Sequence, residues 1–107
     1  YWPGFSDHPG HDIAARQMDD FGGMIAFELA SNDLEHAKRL VASTKLFALA
    51  ESLGGVESLI EHPAAMTHGS VPPEVRAQLG INDGFIRLSV GVEDCDDLIA
   101  DLDQAFN

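Results

Sequence analysis

Apolar side chains recur along the chain with two different spacings, and these spacings predict its secondary structure. Short runs of apolar residues predict four strands, at residues 24–30, 46–50, 56–61 and 85–90. Apolar residues three and four positions apart predict helices at residues 11–18, from residue 32 onward and from about residue 94 onward. With a short helix at residues 74–79, the predicted order is helix, strand, helix, two strands, short helix, strand, helix.

Local signals mark where two of these helices begin and end. Asn32 is predicted to cap the second helix, with Glu35 reaching back from the third helical position. Pro72-Pro73 and Gly80 bracket the short helix, because proline suits a helix start and glycine suits the residue after its end.

Four strands with helices packed against one face would bury every apolar stripe, so we predict an α/β two-layer sandwich. The density of proline and glycine in residues 1–10 predicts an irregular arm. We therefore divide the chain into a linker arm with a short helix, residues 1–23, and a substrate-binding α/β domain, residues 24–107. A length of 107 residues suits one compact domain.

Charge and cysteine content exclude several functions. The formal net charge of −12 would repel nucleic-acid phosphates and anionic lipid surfaces. Cys95 is the only cysteine, so no internal disulfide can form, and a reducing cytoplasm is expected. No apolar run approaches the ~18 residues of a bilayer-spanning helix. The chain opens at Tyr1 without an initiator methionine, which favours a fragment or a processed product.

Arg87 is the only charged residue in the strand predicted at residues 85–90. Alternation along a strand places it on the face opposite Ile86 and Leu88. Burying a charge is costly unless the charge is paired, and a guanidinium matches a carboxylate or a phosphate through two parallel hydrogen bonds. Arg87 is therefore expected either to bind an anionic ligand or to form a structural ion pair with one of the eighteen acidic side chains.

Glu51 and Ser52 follow the second predicted strand, at a glycine-containing turn where sheet proteins often place ligand sites. Ser52 could donate a hydrogen bond to an anion held by Arg87, and the carboxylate of Glu51 could meet a cationic amine. These three residues together would recognise an amino acid.

Other motifs carry weaker chemical signals. His8 and His11 are metal-ligand types but have no specified partners, so a solvated loop is the simpler interpretation. Thr67-His68 lies near Ser70, but no nucleophile elbow or cysteine–histidine pairing accompanies it, and a hydrogen-bonded loop histidine is expected.

Three segments combine these candidate residues with a characteristic local sequence. They are Glu51-Ser52-Leu53-Gly54-Gly55-Val56-Glu57-Ser58-Leu59-Ile60, His62-Pro63-Ala64-Ala65-Met66-Thr67-His68 and Ile86-Arg87-Leu88-Ser89-Val90-Gly91-Val92-Glu93-Asp94. Together they closely resemble the small C-terminal domain of the pyridoxal-phosphate-dependent transsulfuration enzymes of fold type I, with cystathionine γ-synthase and cystathionine γ-lyase the nearest members. The resemblance runs through nearly the whole chain.

The resemblance implies a role for each matching residue. Arg87 would bind the substrate α-carboxylate with Ser52 assisting, and Glu51 would contact the distal amino group of cystathionine. Thr67 matches a threonine near the site. Leu53 stands where some cystathionine β-lyases carry tryptophan, which disfavours that branch.

The resemblance also implies a cofactor that is bound elsewhere. Pyridoxal phosphate would be held mainly by a preceding large domain, since Lys38 and Lys45 are in the wrong context for its Schiff-base lysine. We therefore expect the chain to be inactive alone, and to belong to a homo-oligomeric, tetrameric enzyme in which cysteine replaces the acyloxy group of an O-acylhomoserine. Cystathionine γ-lyase activity and a stand-alone amino-acid-binding module are the alternatives.

Overall fold

The computed structural model describes all 107 residues, and its elements follow the predicted order. The elements are α1 His11–Gln17, β1 Met24–Glu28, α2 Leu34–Ser43, β2 Ala48–Leu49, β3 Leu59–Glu61, α3 Pro73–Gln78, β4 Phe85–Ser89 and α4 Cys95–Phe106. The four strands form one mixed sheet in the order β1-β4-β3-β2. The β1–β4 and β4–β3 pairs are antiparallel, and the β3–β2 pair is parallel.

One face of the sheet forms the hydrophobic core with α2 and α4. The register aligns Phe27 with Ile86, and Ile60 with Leu88, so these side chains share that face. The helices contribute Leu40 and Leu98, among other buried apolar residues, to the same cluster. The predicted α/β two-layer sandwich is confirmed.

The second helix is capped one residue later than predicted. The carboxylate of Asp33, not the side chain of Asn32, accepts the hydrogen bond from His36 N. Asn32 adopts a left-handed conformation with φ 47°, and its Oδ1 accepts from Gly84 N at 3.0 Å. Asparagine is one of the few residues that tolerates this conformation, so it forms the turn before the helix.

The second strand is much shorter than predicted because a buried carboxylate binds the backbone at its start. Asp101 on α4 accepts hydrogen bonds from the N–H groups of Lys45, Leu46 and Phe47. The strand then begins at Ala48, with Ala48 and Leu49 in register with β3 and Ala50 N donating to Ile60 O at 3.1 Å. Asp101 is itself buried, whereas Asp96, Asp97 and Asp103 on the same helix are exposed.

The desolvation of Asp101 is the largest single influence on its pKa and acts to raise it. The hydrogen bonds from Lys45, Phe47 and Leu46, with one from Gln104, together outweigh this influence and hold the pKa of Asp101 below its ordinary value. This carboxylate therefore remains charged in the fold and fixes the segment between α2 and β2.

The arm before the sheet is irregular, as predicted, but its first residues pack against β1. Tyr1 and Ala26 exchange two backbone hydrogen bonds, and the indole Nε1 of Trp2 donates to Gly22 O at 3.0 Å. The Trp2 ring contacts Phe5 and Phe21 edge-on. The division into residues 1–23 and 24–107 stays a prediction. None of the helices combines the length and apolar character that crossing a membrane requires.

Candidate functional site

Arg87 lies at the centre of the sheet face that the helices leave uncovered. It stands in register between Ala26 on β1 and Glu61 on β3. Its Nη2 donates to the backbone carbonyl oxygens of Glu51 and Ser52, at 3.0 Å each. The structure therefore brings Arg87, Glu51 and Ser52 together, as the sequence predicted, although the backbone and not the side chains of the latter two makes the contact.

Glu61 supplies the counter-charge for the second interpretation of Arg87, in which the arginine forms a structural ion pair. Its Oε2 lies 3.0 Å from Arg87 Nη1, and its side chain is only 1% exposed, against 21% for Arg87. The contact is a close ion pair without the alignment of a hydrogen bond, and Arg87 Nε is also buried without a partner. Both N–H groups of Nη2 meet carbonyls and Nε is buried, so the N–H of Nη1 that does not face Glu61 is the donor that remains for a ligand.

The loop of residues 50–57, which we call the 50s loop, folds over this open face and sets the position of the two carbonyls. Gly54 N donates to Ser89 Oγ at 2.7 Å, and Val92 N donates to Val56 O at 2.9 Å. Gly91 allows this approach, since a Cβ added there would lie 2.1 Å from Val56 O. The hydrogen bonds of the loop therefore hold it against β4 and the turn that follows.

A second anchor lies where the 50s loop enters β3. Ser58 is buried and donates from both N and Oγ to the carboxylate of Glu93, while its Oγ accepts from Gly91 N at 2.8 Å. The hydrogen bond from the Ser58 hydroxyl is the main reason that the pKa of Glu93 lies below its ordinary value. Glu93 is thus a charged acceptor that ties the C-terminal end of the 50s loop to the segment after β4.

The side chains of the other candidate residues are available to a ligand. Glu51 and Ser52 are exposed, and neither Glu51's carboxylate nor Ser52 Oγ makes a hydrogen bond within the chain. Thr67 is exposed, and its Oγ1 lies 3.0 Å from His68 Nδ1. The structure joins Thr67 to no other candidate residue through a hydrogen bond.

A cleft of about 270 Å³ adjoins Arg87 on the open face, between the arm and strands β1 and β4. Its walls include Ala26, Phe85 and Arg87 from the sheet, with Tyr1 and His8 from the arm. A larger groove of about 380 Å³ lies beside α4, but Asp101 there is already bound to the backbone. We therefore place the candidate site at Arg87.

The two histidines within residues 1–23 contact backbone atoms of the arm. His8 Nδ1 accepts from Gly10 N at 3.1 Å, and His11 Nδ1 lies 2.8 Å from Pro3 O. The His11 ring also stacks on Phe21. No group of three metal-ligating side chains is present in the chain.

The chain is thus an α/β sandwich with the partly exposed side chain of Arg87 on the open face of its sheet. The family model described as "Cys/Met metabolism PLP-dependent enzyme" matches residues 1–107. The chain belongs to this family, whose cofactor is pyridoxal phosphate.

The relatives carry several activity names at similar identity. A cystathionine β-lyase of Lactococcus lactis is 58% identical, and a cystathionine γ-lyase of Dictyostelium discoideum is 55% identical, each over 99% of this chain and 27% of the relative. The crystal structure of cystathionine γ-synthase from Xanthomonas oryzae pv. oryzae in complex with cystathionine is 50% identical, with a TM-score of 0.87, over 99% of this chain and 27% of that one. The chain thus spans about a quarter of the length of these relatives, and identity does not separate their activities. The β-lyase in particular is as similar as the others, so overall identity does not disfavour that branch, and the interpretation of Leu53 stays a prediction.

Neither lysine fits covalent attachment of pyridoxal phosphate near Arg87. Lys38 lies on the surface of α2 and pairs with Glu35 at 3.0 Å. Lys45 follows α2 and lines the groove beside α4, not the cleft at Arg87. Neither lysine contacts Arg87 or lines the cleft beside it.

Glu61 is the residue that sequence reasoning missed. It ends the predicted third strand, and the prediction of an ion pair for Arg87 did not select it among the acidic residues. An opposite charge at the matching position of a neighbouring strand is a usable signal, but only once the β3–β4 register is known.

Proposed function

We propose that this chain is the part of a pyridoxal-phosphate-dependent transsulfuration enzyme that binds the α-carboxylate of an amino-acid substrate. Arg87 would hold the carboxylate with help from Ser52 Oγ, and Glu51 would contact the distal amino group. Thr67 would lie at the edge of the same site. The observation that carries the proposal is the partly exposed Arg87 guanidinium, held by the carbonyls of Glu51 and Ser52.

In the whole protein, we propose γ-replacement, in which cysteine thiol displaces the acyloxy group of an O-acylhomoserine and cystathionine forms. The relative from Xanthomonas oryzae pv. oryzae was crystallised in complex with cystathionine, which supports a substrate of this class. Pyridoxal phosphate supplies the electron sink for such reactions when it is bound. Arg87 contributes by orienting the substrate, not by moving a proton.

A cystathionine γ-lyase is the second candidate. A relative with that name is 55% identical, and the proposed contacts of Arg87 and Glu51 serve cleavage of cystathionine equally well. Assaying the purified protein with O-acylhomoserine plus cysteine, and separately with cystathionine alone, distinguishes the two candidates. Product from the first mixture only would favour the synthase.

Substitution of Arg87 tests the binding role. We expect Arg87→Ala to raise KM for the amino-acid substrate about 100-fold, because a charge-assisted hydrogen-bonded contact is lost. Arg87→Lys keeps a positive charge near Glu61 but loses the planar fork, so its KM should lie between those of wild type and Arg87→Ala. Arg39→Ala, at an exposed arginine on α2, is the control. Unchanged KM in Arg87→Ala would reject the proposal.

Substitution of Glu51 tests the specificity role. Glu51→Ala should weaken the binding of cystathionine more than the binding of a substrate that lacks the distal amino group, because no exposed carboxylate would then contact that cation. Glu57→Ala removes an exposed carboxylate from the same loop and should preserve the ranking of substrates. An unchanged ranking in Glu51→Ala would remove Glu51 from the site.

The remaining proposals concern the protein outside this chain. We propose that the lysine that attaches the cofactor lies outside these 107 residues, which therefore do not catalyse the reaction alone. We also propose that the enzyme is a cytoplasmic homo-oligomer. Mixing the chain with pyridoxal phosphate should therefore give no visible absorbance band of a lysine-bound cofactor after gel filtration. The appearance of that band would contradict the proposal.

A further inference from the structure

Glu61 is a buried carboxylate whose only close charged partner is Arg87. Its side chain is 1% exposed, and neither oxygen makes an aligned hydrogen bond. Its position in β3 places it directly opposite Arg87 in β4, so the backbone register and not a flexible loop fixes the pair. A buried carboxylate is costly without a counter-charge, and this one is therefore tied to the guanidinium.

The pair is poorly explained as a source of stability. Buried ion pairs are often no more stabilising than apolar residues of similar volume, because desolvation offsets the attraction between the charges. Here the carboxylate also lacks the additional hydrogen bonds that would offset its desolvation. The pair instead fixes the orientation of Arg87, because it restrains a long side chain that otherwise has several rotamers.

Three acceptors restrain the guanidinium. Glu61 Oε2 lies beside Nη1, and the carbonyls of Glu51 and Ser52 bind Nη2, all at 3.0 Å. The arginine thus keeps one orientation while part of it remains exposed on the open face. This arrangement lowers the entropy that a ligand must remove from the side chain on binding.

We propose that Glu61 is a positioning residue that holds Arg87 ready for the substrate carboxylate, an inference that rests on the proposed function of Arg87. Glu61 touches no substrate atom in this account. Its effect on the reaction passes through the orientation of the guanidinium.

Glu61→Gln in the full-length protein tests the inference, because glutamine keeps the shape of the side chain and removes its charge. We expect KM for L-cystathionine to rise about tenfold, with kcat within about twofold of wild type, since only the ordering of Arg87 is lost. Glu61→Asp keeps the charge and should bring KM part of the way back. Glu74→Gln, at an exposed glutamate on α3, is the control and should leave KM unchanged.

A double variant separates positioning from a general effect on the fold. In an Arg87→Met background, Glu61→Gln should raise KM no further, because the group that it positions is absent. A further rise in that background would overturn the inference. So would unchanged or lowered KM in the single Glu61→Gln variant, the latter because it would make Glu61 a competitor of the substrate.

The same experiment distinguishes failure of the inference from failure of the proposed function. If Arg87→Met leaves KM unchanged, the carboxylate-binding role itself is wrong. If Arg87→Met raises KM and Glu61→Gln does not, only the positioning role is wrong. Should Glu61→Gln fail to fold, judged by circular dichroism, the Glu61→Asp variant decides, and its KM should rise about threefold.

Discussion

The two faces of the central sheet are built from the same strands but are specified in different ways. On the helix-covered face, Ile60, Ile86 and Leu88 pack into a continuous apolar cluster with α2 and α4. On the open face, the alternate positions place Arg87 beside Glu61 under the 50s loop. The first face holds the domain together, and the second presents a polar group to a ligand.

This difference shows how one strand serves two purposes. Alternation lets β4 contribute Ile86 and Leu88 to the core while Arg87 points to the other side. Substitutions on the first face should therefore change stability with little effect on ligand affinity. Substitutions of the loop over the second face should change affinity beyond their effect on stability.

The largest stability effect is expected in the core. Ile86→Ala should lower the free energy of unfolding by about 4 kcal/mol, since it leaves a cavity at a fully buried position. Urea-induced unfolding measures this change. Val92→Ala, at an exposed residue, should change stability by less than about 0.5 kcal/mol, and an equal effect of the two would contradict the assignment of the core.

Arg87→Met should destabilise the protein by about 3 kcal/mol, because it leaves the buried Glu61 carboxylate without its counter-charge. Adding Glu61→Gln should restore part of that stability, since the uncompensated charge is then removed. The same unfolding experiment checks both variants. Additive losses in the double variant would show that the two side chains do not interact.

Asp101→Asn should cost about 2 kcal/mol, because the charged acceptor of three backbone N–H groups is weakened. The sign of the pH effect follows from its lowered pKa. The stabilising contribution is fully present above the ordinary value of 3.8 and is lost as pH falls through the lower pKa of the folded state. As pH falls below 4, the free energy of unfolding should therefore decrease less in Asp101→Asn than in wild type.

The smallest effect is expected at two matched glycines. Gly54 and Gly80 have φ values of +76° and +78°, and an added Cβ would meet no atom within 4 Å at either. Each alanine substitution should cost about 1 kcal/mol, since a side chain disfavours that conformation. Only Gly54→Ala should also raise KM, because it lies in the 50s loop. Equal KM values would show that the loop does not shape the site.

Much of the fold could be predicted from local patterns in the sequence. The order of the elements follows from apolar spacing, and the start of α4 follows from the acidic residues at its first turn, where Asp94 caps the helix. The error in the start of β2 has a non-local cause. Asp101 shortens β2 from more than fifty residues away along the chain, and no local pattern reports such a contact.

The candidate site was predicted only in part. Arg87 stood out as a charge in an apolar strand, and Glu51 and Ser52 stood out at a turn. The residue that carries the counter-charge of Arg87 could be identified only from the β3–β4 register, which places Glu61 opposite Arg87. The 50s loop contacts Arg87 through carbonyl oxygens and not through side chains. This contact could be seen only once the path of the backbone was known.

A crystal structure of the full-length protein with L-cystathionine bound tests the central claim most directly. We predict a ligand carboxylate oxygen about 3 Å from a nitrogen of Arg87, with the guanidinium still in contact with Glu61. A ligand carboxylate bound by other residues, with Arg87 paired to Glu61 alone, would contradict it.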